Sequence, residues 1–326
     1  MQYEQTVPII RDRVVQMATK IVIEPLFEAD FKECSYGFRP KRSMHQALDR
    51  IRKDTRNKGW WVVDADICSY FDTINHEKLI KLVEMRISDR RIIKLIRQWL
   101  KSGVIYKGEF EESEIGAPQG GVISPLLSNI YLNYLDTKWE LHYKHLGKLV
   151  RFADDFVVVC RTKKDAHHSL NAVKSILYRL ELQIHPEKTK LVSIWDGTEG
   201  FDFLGFHHRF KKSETAKGRT FKEMHQVPSK KAMGKMRENI RKVFASRSTL
   251  LLDIKDMVKT LNPKIIGMRN YYGLKNAEKQ LNKIDWYIIK KFTVWYNCKK
   301  KIKRHYSGLS NVRKTIYEQG LQRLAV

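Results

Sequence analysis

The sequence predicts an α+β fold in which an antiparallel sheet with flanking helices is followed by a helical C-terminal region. The first observation is the stretch 149–160, where apolar, β-prone residues surround Asp154 and Asp155, a pattern typical of a β-hairpin with the two carboxylates at its turn. The second is the apolar strand Trp60–Ile67, which is followed by segments of helical periodicity. The third is the helical pattern that continues from Pro228 to the end of the chain.

The composition describes a globular chain of one large or two linked domains. It has 326 residues, of which 42% are apolar and 30% charged. No run of about eighteen apolar residues is long enough to span a bilayer, and the first twenty residues lack a secretory signal. The four cysteines are widely spaced without a CxxC pair, which argues against a zinc ribbon or a disulfide framework. We therefore expect a protein of the reducing cytoplasm.

The positive charge is concentrated in the C-terminal third. The net charge is +26, yet residues 1–200 hold 32 basic and 27 acidic residues, whereas residues 201–326 hold 30 basic and only 9 acidic ones. Such a region is expected to bind a polyanion. Nucleic acid is favoured over an anionic membrane surface because the basic segments are not strongly two-faced helices.

The N-terminal segments read as helix, loop and helix. Apolar residues at helical spacing predict an amphipathic helix over Val14–Phe27. The segment Ser35–Pro40 is a glycine- and proline-containing loop, and Ser43 is a suitable cap for the helix that follows. The loop is either a simple connector or a site where Arg39 and Lys41 hold a phosphate backbone.

The strand Trp60–Ile67 is apolar enough to be central in a sheet. Asp66 lies at its end, Asp72 follows the next turn, and Asn75 is a suitable cap for another helix. Strand ends are where ligand chemistry collects in open sheets, which makes Asp66 a candidate. Further elements predicted here are helices near 75–86 and 88–101 and a hairpin around 103–114.

A glycine- and proline-rich loop, Gly116–Pro125, opens a long apolar helix, and its glycines would let the backbone approach a ligand closely. Alone, this feature is also typical of ordinary loops. After the carboxylate hairpin we predict a helix near 164–181, a strand headed by His185–Lys190, and the segment Phe201–Phe206. Residues 211–227 read as a linker or flexible hairpin, and the helical region beyond is interrupted at Asn262-Pro263 and Gly267.

Asp66, Asp154 and Asp155 would converge if their two strands were neighbours. Hard cations such as Mg²⁺ take oxygen ligands and share their remaining positions with water and substrate phosphates. Two such ions about 4 Å apart activate a 3′-hydroxyl and stabilise a leaving pyrophosphate. The alternative is three unrelated surface aspartates, which periodicity does not exclude.

Several sequence blocks, taken in order, resemble the reverse transcriptase/maturase family of group II introns, over nearly the whole chain. The blocks are Ser35-Tyr-Gly-Phe-Arg-Pro, Asp64-Ala-Asp-Ile-Cys-Ser-Tyr-Phe-Asp, Ala117-Pro-Gln-Gly-Gly-Val-Ile-Ser-Pro-Leu-Leu, Phe152-Ala-Asp-Asp, His185-Pro-Glu-Lys-Thr-Lys and Phe203-Leu-Gly-Phe. Pro228-Ser-Lys-Lys, Asn262-Pro and Arg269-Asn-Tyr-Tyr resemble the maturase-specific region of that family. Six blocks in the family's order are far more specific than any one of them.

The resemblance implies a right-hand polymerase. Its fingers and palm would occupy residues 1–210, a linker or flexible hairpin residues 211–227, and a helical thumb, the maturase-specific domain, residues 228–326. The positions that match the metal site are Asp66, Ile67, Asp154 and Asp155; Asp72 is expected to be structural. Nucleotide-binding positions are Arg11, Arg13, Phe71, Pro118, Gln119, Gly120 and Lys188, with Phe71 under the incoming sugar. Primer- or template-binding positions are Arg39, Phe152, Phe203, Leu204, Gly205 and Phe206.

The implied function is RNA-directed DNA synthesis with two Mg²⁺ ions, or Mn²⁺ in their place, combined with binding of intron RNA to promote splicing. The implied partners are template and intron RNA, a DNA primer or target, and dNTPs, with no membrane and no obligate protein partner. The chain departs from the family in starting almost inside the second fingers block and in lacking a Cys/His-rich endonuclease region. Two alternatives remain: a splicing cofactor with an idle polymerase, and a reverse transcriptase of a defence or diversity-generating system.

Overall fold

The architecture comes from a computed structural model, which describes residues 9–56, 59–101, 104–106, 109–111, 116, 120–214, 218 and 220–325. The chain divides into two compact units, residues 1–199 and 200–326. Both contain helices and antiparallel strands, which confirms the predicted α+β class. Within the part of the chain that the structure describes, none of the helices is long and apolar enough to cross a membrane.

The first unit interleaves helices with strands. Its helices are α1 (Ile10–Glu28), α2 (Met44–Arg56), α3 (His76–Glu84), α4 (Arg90–Lys101), α5 (Ser124–Lys138) and α6 (Lys163–Arg179). Its strands are β1 (Trp61–Ala65), β2 (Val104–Tyr106), β3 (Glu109–Glu111), β4 (Gly147–Phe152), β5 (Asp155–Cys160) and β6 (Lys190–Ser193). The elements predicted between residues 43 and 193 are therefore confirmed to within a few residues at their ends.

The central sheet of this unit has the strand order β4-β5-β1-β6, and every neighbouring pair is antiparallel. Val62 and Val63 of β1 and Val157 and Val158 of β5 are fully buried although they alternate between the two faces. A strand buried on both faces reads as a continuous apolar run, as these two strands do. The prediction that β1 is central is confirmed, and the sheet forms the middle of the unit's hydrophobic core.

Two predicted helix caps are confirmed. The Asn75 side chain accepts a hydrogen bond from the amide of Lys78 at 2.9 Å, at the start of α3. Ser43 and Gln46 form a reciprocal pair before α2, in which the Gln46 amide donates to the Ser43 hydroxyl and the Ser43 amide donates to the Gln46 side chain. Each cap satisfies amide groups that have no partner within the helix, which fixes where that helix begins.

The first helix departs from the amphipathic pattern that the sequence predicted. The face of α1 that packs inward contains Gln16 and Thr19 beside Ile23 and Phe27. Apolar side chains cover the opposite, exposed face: Ile10, Val14, Met17, Ile21 and Val22 are between 44% and 80% exposed. The expected burial is partly inverted because this helix is apolar on both sides, so periodicity alone does not select the inner face.

The second unit joins a small sheet to a helical bundle. Its strands are β7 (Phe201–Phe203), β8 (Phe206–Glu214) and β9 (Thr220–Pro228), in that spatial order. Its helices are α7 (Lys230–Val243), α8 (Ile254–Tyr272), α9 (Glu278–Lys299) and α10 (Leu309–Glu318). Buried side chains such as Ile240, Leu261, Ile284 and Phe292 form a core separate from that of the first unit.

The boundary between the units falls between residues 199 and 200, whereas the sequence predicted a change of domain after residue 210. The difference arises because β8 and β9 pair continuously, from Phe206↔Pro228 to Glu214↔Thr220. Residues 201–210 therefore belong to the same sheet as residues 220–228. Residues 211–227 were predicted to be a linker or a flexible hairpin, and their described residues form most of the β8–β9 hairpin, so the second alternative describes them and the first does not.

The prediction that the helical pattern is interrupted at Asn262-Pro263 and Gly267 is wrong. Helix α8 runs through all three residues. Proline removes one intrahelical hydrogen bond and disfavours a helix interior, yet Leu261 and Ile265 on either side are fully buried. The Asn262 side chain also bonds outward, to the carbonyl of Gly320 and the amide of Gln322. Tertiary packing here outweighs local propensity.

Candidate active site

Three of the predicted carboxylates lie at one edge of the central sheet. The ladder between β1 and β5 ends at Ala65↔Phe156, so one further step sets Asp66 beside Asp155. Strands β4 and β5 pair as far as Phe152↔Asp155, which leaves Ala153 and Asp154 as a two-residue turn. The β-hairpin with the two carboxylates at or beside its turn is thus confirmed, and its neighbour in the sheet is the strand that carries Asp66.

The electrostatics of this edge reflect its like charges. Asp154 is half-buried, and burial raises the pKa of its carboxyl above the usual value, with the nearby charge of Asp66 adding to the rise. A hydrogen bond from its own backbone amide and the charge of Arg151 act in the opposite direction. Carboxylates that destabilise one another in this way are stabilised by a cation.

Lys188 supplies one positive charge at this edge. Its Nζ lies 2.7 Å from Oδ2 of Asp66, and this hydrogen bond raises the pKa of the lysine. The lysine is brought there by the turn before β6, in which the His185 amide donates to the main-chain carbonyl of Asp66 at 2.8 Å. The predicted nucleotide-binding lysine therefore contacts a predicted metal ligand.

The donor set suits a hard divalent cation, because three carboxylates at one sheet edge offer only oxygen ligands. In the described part of the chain, however, no three carboxylate, imidazole or thiol groups are already gathered as a metal cluster. The fit therefore rests on donor chemistry and on the shared edge. Ile67, the fourth predicted metal position, has no ligand atom in its side chain. Ile67 lies opposite Ile184 in an antiparallel bridge. The two hydrogen bonds of this bridge run from the His185 amide to the Asp66 carbonyl and from the Cys68 amide to the Gln183 carbonyl, so neither uses the carbonyl of Ile67.

The turn that carries Asp154 has an unfavourable backbone. Ala153 adopts φ 58°, a left-handed conformation that glycine tolerates best and that costs an L-residue about 1–2 kcal/mol. A residue held this way persists only where its surroundings fix it.

Sequence reasoning treated Arg151, two residues before Ala153, as part of the hairpin and assigned it no role. Its guanidinium is fully buried and pairs with the fully buried Asp136 at 2.5 Å. The signal that could have found it is a charged residue inside an otherwise apolar strand.

Phe71 lies on a short 3-10 helix, Tyr70–Asp72, that follows β1. Its half-buried ring contacts that of Tyr70, whose hydroxyl donates to the buried carbonyl of Ser128 at 2.9 Å. The start of the glycine-rich loop lies against it: a side chain on Gly116 would come within 3.0 Å of the Phe71 carbonyl, and Gly116 has φ +100°. Phe71 is therefore adjacent to Gly116, the first residue of the loop.

The predicted nucleotide-binding residues of that loop are only partly described. Pro118 and Gln119 lie outside the described residues, while Gly120 is exposed with φ +102°. Arg11 and Arg13 are exposed on the first turn of α1. One turn further on, the buried Gln16 accepts a hydrogen bond from the amide of Val122 at 2.8 Å, which joins α1 to the end of the loop. Sequence reasoning did not anticipate this contact.

Arg39 was predicted to hold primer or template, and the structure corrects this. Its side chain is only 3% exposed, and its guanidinium donates to the Glu28 carboxylate and to the carbonyls of Lys32 and Ser35. These donors hold the 28–39 segment together and are not available to a phosphate. The sequence showed a cation in a loop but not its partner eleven residues upstream.

The second unit holds four of the predicted primer- or template-binding residues, Phe203 to Phe206. Phe203 and Phe206 pair across the β7–β8 hairpin, and both turn residues between them, Leu204 and Gly205, have positive φ, the backbone of a type I′ turn. The Tyr271 hydroxyl donates to the Leu204 carbonyl at 3.3 Å. In the first unit, the half-buried Phe152 lies opposite Asp155 at the base of the carboxylate turn. Asp72, expected to be structural, is exposed.

Comparison with known proteins identifies relatives of both units. The model of the reverse transcriptase (RNA-dependent DNA polymerase) family matches residues 5–208, and that of the group II intron maturase-specific domain matches residues 233–312. Protein YkfC of Escherichia coli is 36% identical over 264 residues, covering 69% of this chain and 67% of the relative.

Two further similarities extend over almost the whole chain. The group II intron-encoded protein LtrA of Lactococcus lactis is 25% identical over 96% of this chain. The chain spans 64% of the length of that relative. Among solved structures, apo telomerase from Candida tropicalis has a similar fold, with a TM-score of 0.51 at 14% identity, covering 98% of this chain and 56% of the telomerase chain.

Proposed function

This chain belongs to the reverse transcriptase family, and we propose that it is an RNA-directed DNA polymerase, which transfers nucleotides from dNTPs to a primer 3′-hydroxyl on an RNA template. The observation that carries this proposal is the pairing of β1 with β5, because it brings Asp66 to the sheet edge where Asp154 and Asp155 lie. Carboxylate oxygens at one edge of a sheet are suitable ligands for the metal ions that act in two-metal nucleotidyl transfer.

Asp66, Asp154 and Asp155 would hold two Mg²⁺ ions, with Mn²⁺ as a substitute and Ile67 contributing only its main-chain carbonyl. Such ions, when bound, activate the attacking hydroxyl and neutralise charge on the leaving pyrophosphate. Lys188 would then exchange its bond with Asp66 for contact with a phosphate of the nucleotide. The desolvated carboxyl of Asp154 and its repulsion by Asp66 favour the bound state of a cation over the empty one.

The remaining residues of the first unit would select and hold the nucleotide. Phe71 would lie under the incoming sugar and reject a 2′-hydroxyl by steric contact. The adjacent loop, with Pro118, Gln119 and Gly120, would form the pocket wall. Arg11 and Arg13 are the cations proposed for the triphosphate, and their exposure leaves them accessible to it.

We propose that the second unit grips the primer and folded group II intron RNA. Phe203–Phe206 would seat the primer end. Support for RNA binding comes from the match to the maturase-specific domain and from the excess of 21 positive charges in residues 201–326. Aromatic side chains lie beneath some of these cations, such as Trp286 with the Arg313 guanidinium 5.2 Å above its ring. A surface of this composition binds phosphate backbones and unstacked bases.

Primer extension tests the polymerase directly. The full chain is incubated with a labelled DNA primer on an RNA template, the four dNTPs and Mg²⁺, and in parallel with EDTA. We expect extension that requires the cation. A wild-type chain that binds the primed template without extending it would overturn the proposal and favour a splicing cofactor with an idle polymerase. Splicing of a group II intron RNA, measured with and without the chain, tests the second role separately.

A further inference from the structure

The segment around the carboxylate turn is held by a buried polar network that neither the family match nor the proposed chemistry explains. Arg151, Asp136 and Asn129 are each no more than 1% exposed. The Arg151 guanidinium donates to both Asp136 oxygens, to the Asn129 side-chain oxygen at 3.0 Å and to the main-chain carbonyl of Ala153 at 2.8 Å. That carbonyl belongs to the peptide bond that leads into Asp154.

A second set of contacts fixes the same point from the other side. The side-chain amide of Asn129 donates to the Gly37 carbonyl at 2.8 Å, and Gly37 lies so close to the turn that a Cβ on it would be 2.3 Å from the Ala153 nitrogen. The Arg151 amide donates to the Cys34 carbonyl, and the Tyr36 amide donates to the Arg151 carbonyl. The segment of residues 34–36 therefore runs alongside the end of β4. Ala153 is thus enclosed by side-chain and backbone contacts, which accounts for its left-handed conformation.

A buried ion pair adds little to stability, since the loss of hydration offsets its attraction, but it can fix a unique geometry. The geometry fixed here is the backbone immediately before Asp154. We infer that Arg151, Asp136 and Asn129 are positioning residues that set the direction of the Asp154 carboxylate toward a metal ion. This inference rests on the proposed function for its kinetic consequence, whereas its structural consequence, the metal affinity of the site, does not depend on polymerase activity.

The test replaces the ion pair by apolar residues of similar size. In the double variant Arg151→Met/Asp136→Leu no charge is left unpaired, so the chain is expected to fold, with a thermal stability lowered only by the two buried acceptors of Asn129 and Ala153 that lose their donor. The turn would lose the donor that holds the Ala153 carbonyl. We expect kcat for primer extension to fall about 100-fold, the effect of a displacement near 1 Å, with the KM for dNTP nearly unchanged.

Metal binding gives a readout that activity does not control. Free Mn²⁺ is measured by electron paramagnetic resonance in titrations of the wild-type chain, the double variant and Asp154→Asn. Loss of groups that orient metal ligands weakens binding about 10- to 100-fold. We expect the double variant to bind Mn²⁺ at least about tenfold more weakly than wild type, approaching Asp154→Asn. If wild type extends no primer, the proposed function fails while this comparison still decides the inference.

Two further variants keep the test decisive. Asn129→Ala removes only a neutral amide between Arg151 and Gly37 and is expected to reduce kcat and Mn²⁺ affinity about tenfold, even if the double variant does not fold. Asp285→Asn is the matched control, because Asp285 is a buried carboxylate of the second unit that accepts from the amides of Leu324 and Ala325. It should lower thermal stability without changing Mn²⁺ affinity. Folded double and Asn129 variants with wild-type kcat and Mn²⁺ affinity would overturn the inference.

Discussion

The two units of this chain differ most in how they use charge. The first unit is nearly balanced in charge, and its candidate site is acidic, because Asp66, Asp154 and Asp155 lie at one edge of the central sheet. The second unit holds 30 basic and 9 acidic residues, and few of its cations form ion pairs among the residues described. A site for metal-dependent chemistry needs converging oxygen ligands, whereas a nucleic-acid grip needs dispersed positive charge. The comparison indicates that synthesis and RNA binding are separable by mutation.

The units also differ in how they are held together. In the first, the carboxylate turn is fixed by the buried pair of Arg151 and Asp136. In the second, the β7–β8 hairpin, proposed to seat the primer end, is covered by aromatic rings, with Tyr272 5.3 Å from Phe206 between ring centres. Ionic networks specify direction, which a metal ligand requires. Aromatic packing buries area with little directionality, which suits a surface that contacts a long substrate.

The largest effect expected is that of salt on RNA binding. If the second unit contacts six or more phosphates, affinity should fall by about 1000-fold or more between 50 and 200 mM salt, because the counterions displaced from the RNA gain less entropy when they enter a more concentrated salt solution. Filter binding of a labelled RNA over this range measures the slope. A slope near zero would contradict the proposed role of the second unit, since its basic residues would then not be the RNA-binding surface.

Next in size is the effect of Phe71→Ala on sugar selection. Removing the ring should raise ribonucleotide incorporation relative to dNTP by about tenfold or more, because the steric contact with a 2′-hydroxyl is lost. Single-nucleotide extension with dNTP and rNTP gives the ratio, and Phe38→Ala, at a phenylalanine that is 50% exposed in the same unit, is the control. RNA affinity should not change. Unaltered selectivity would remove the role assigned to Phe71.

A smaller effect concerns pH and the second unit. His208 is fully buried against the Phe201 ring, and burial lowers its pKa to about 3. The unfolded chain binds a proton near pH 6.5 that the folded chain does not, so stability is lost as the pH falls below 6.5. The slope is about 1.4 kcal/mol per pH unit.

Urea unfolding at pH 7, 6 and 5 measures this slope, with His208→Gln as the comparison. In His208→Gln, the free energy of unfolding should lose the part of its pH dependence that comes from the protonation of one imidazole. Asp154 in the first unit acts in the opposite sense: its raised pKa means that the folded chain binds a proton more tightly, so its unfavourable contribution is relieved as the pH falls. An identical slope in wild type and His208→Gln would show that this imidazole does not govern the response.

Local patterns in the sequence predicted most of the elements. Apolar runs with a polar turn gave β4 and β5, and capping residues such as Asn75 gave helix starts. The predictions that were wrong concern residues whose structure depends on contacts with residues far away in the sequence or on burial. Arg39 looks like a free cation until Glu28 is seen beside it, and Pro263 looks like a helix end until the burial of its neighbours is known.

The candidate site was predictable in its residues and not in its support. Asp66 and Asp154 were predicted as site residues from their positions at a strand end and a turn. Their proximity depends on the pairing of β1 with β5, which joins residues about ninety positions apart in the sequence. The network of Arg151, Asp136 and Asn129 comes from β4 and α5, and periodicity carries no information on such pairing. An arginine in an apolar strand was its one visible sign.

The most direct test of the division between the units uses one variant and two measurements. Asp154→Asn removes a metal ligand, and primer extension should fall at least about 100- to 1000-fold, the scale on which loss of one charge-stabilising group acts. The RNA dissociation constant of the same variant should stay within about twofold of wild type. Asp49→Asn, at a half-buried carboxylate of α2, is the matched control, since ion pairs of Asp49 with the more exposed Arg52 and Lys53 contribute little. Equal loss of extension and RNA affinity in Asp154→Asn, or extension at the wild-type rate, would contradict the account.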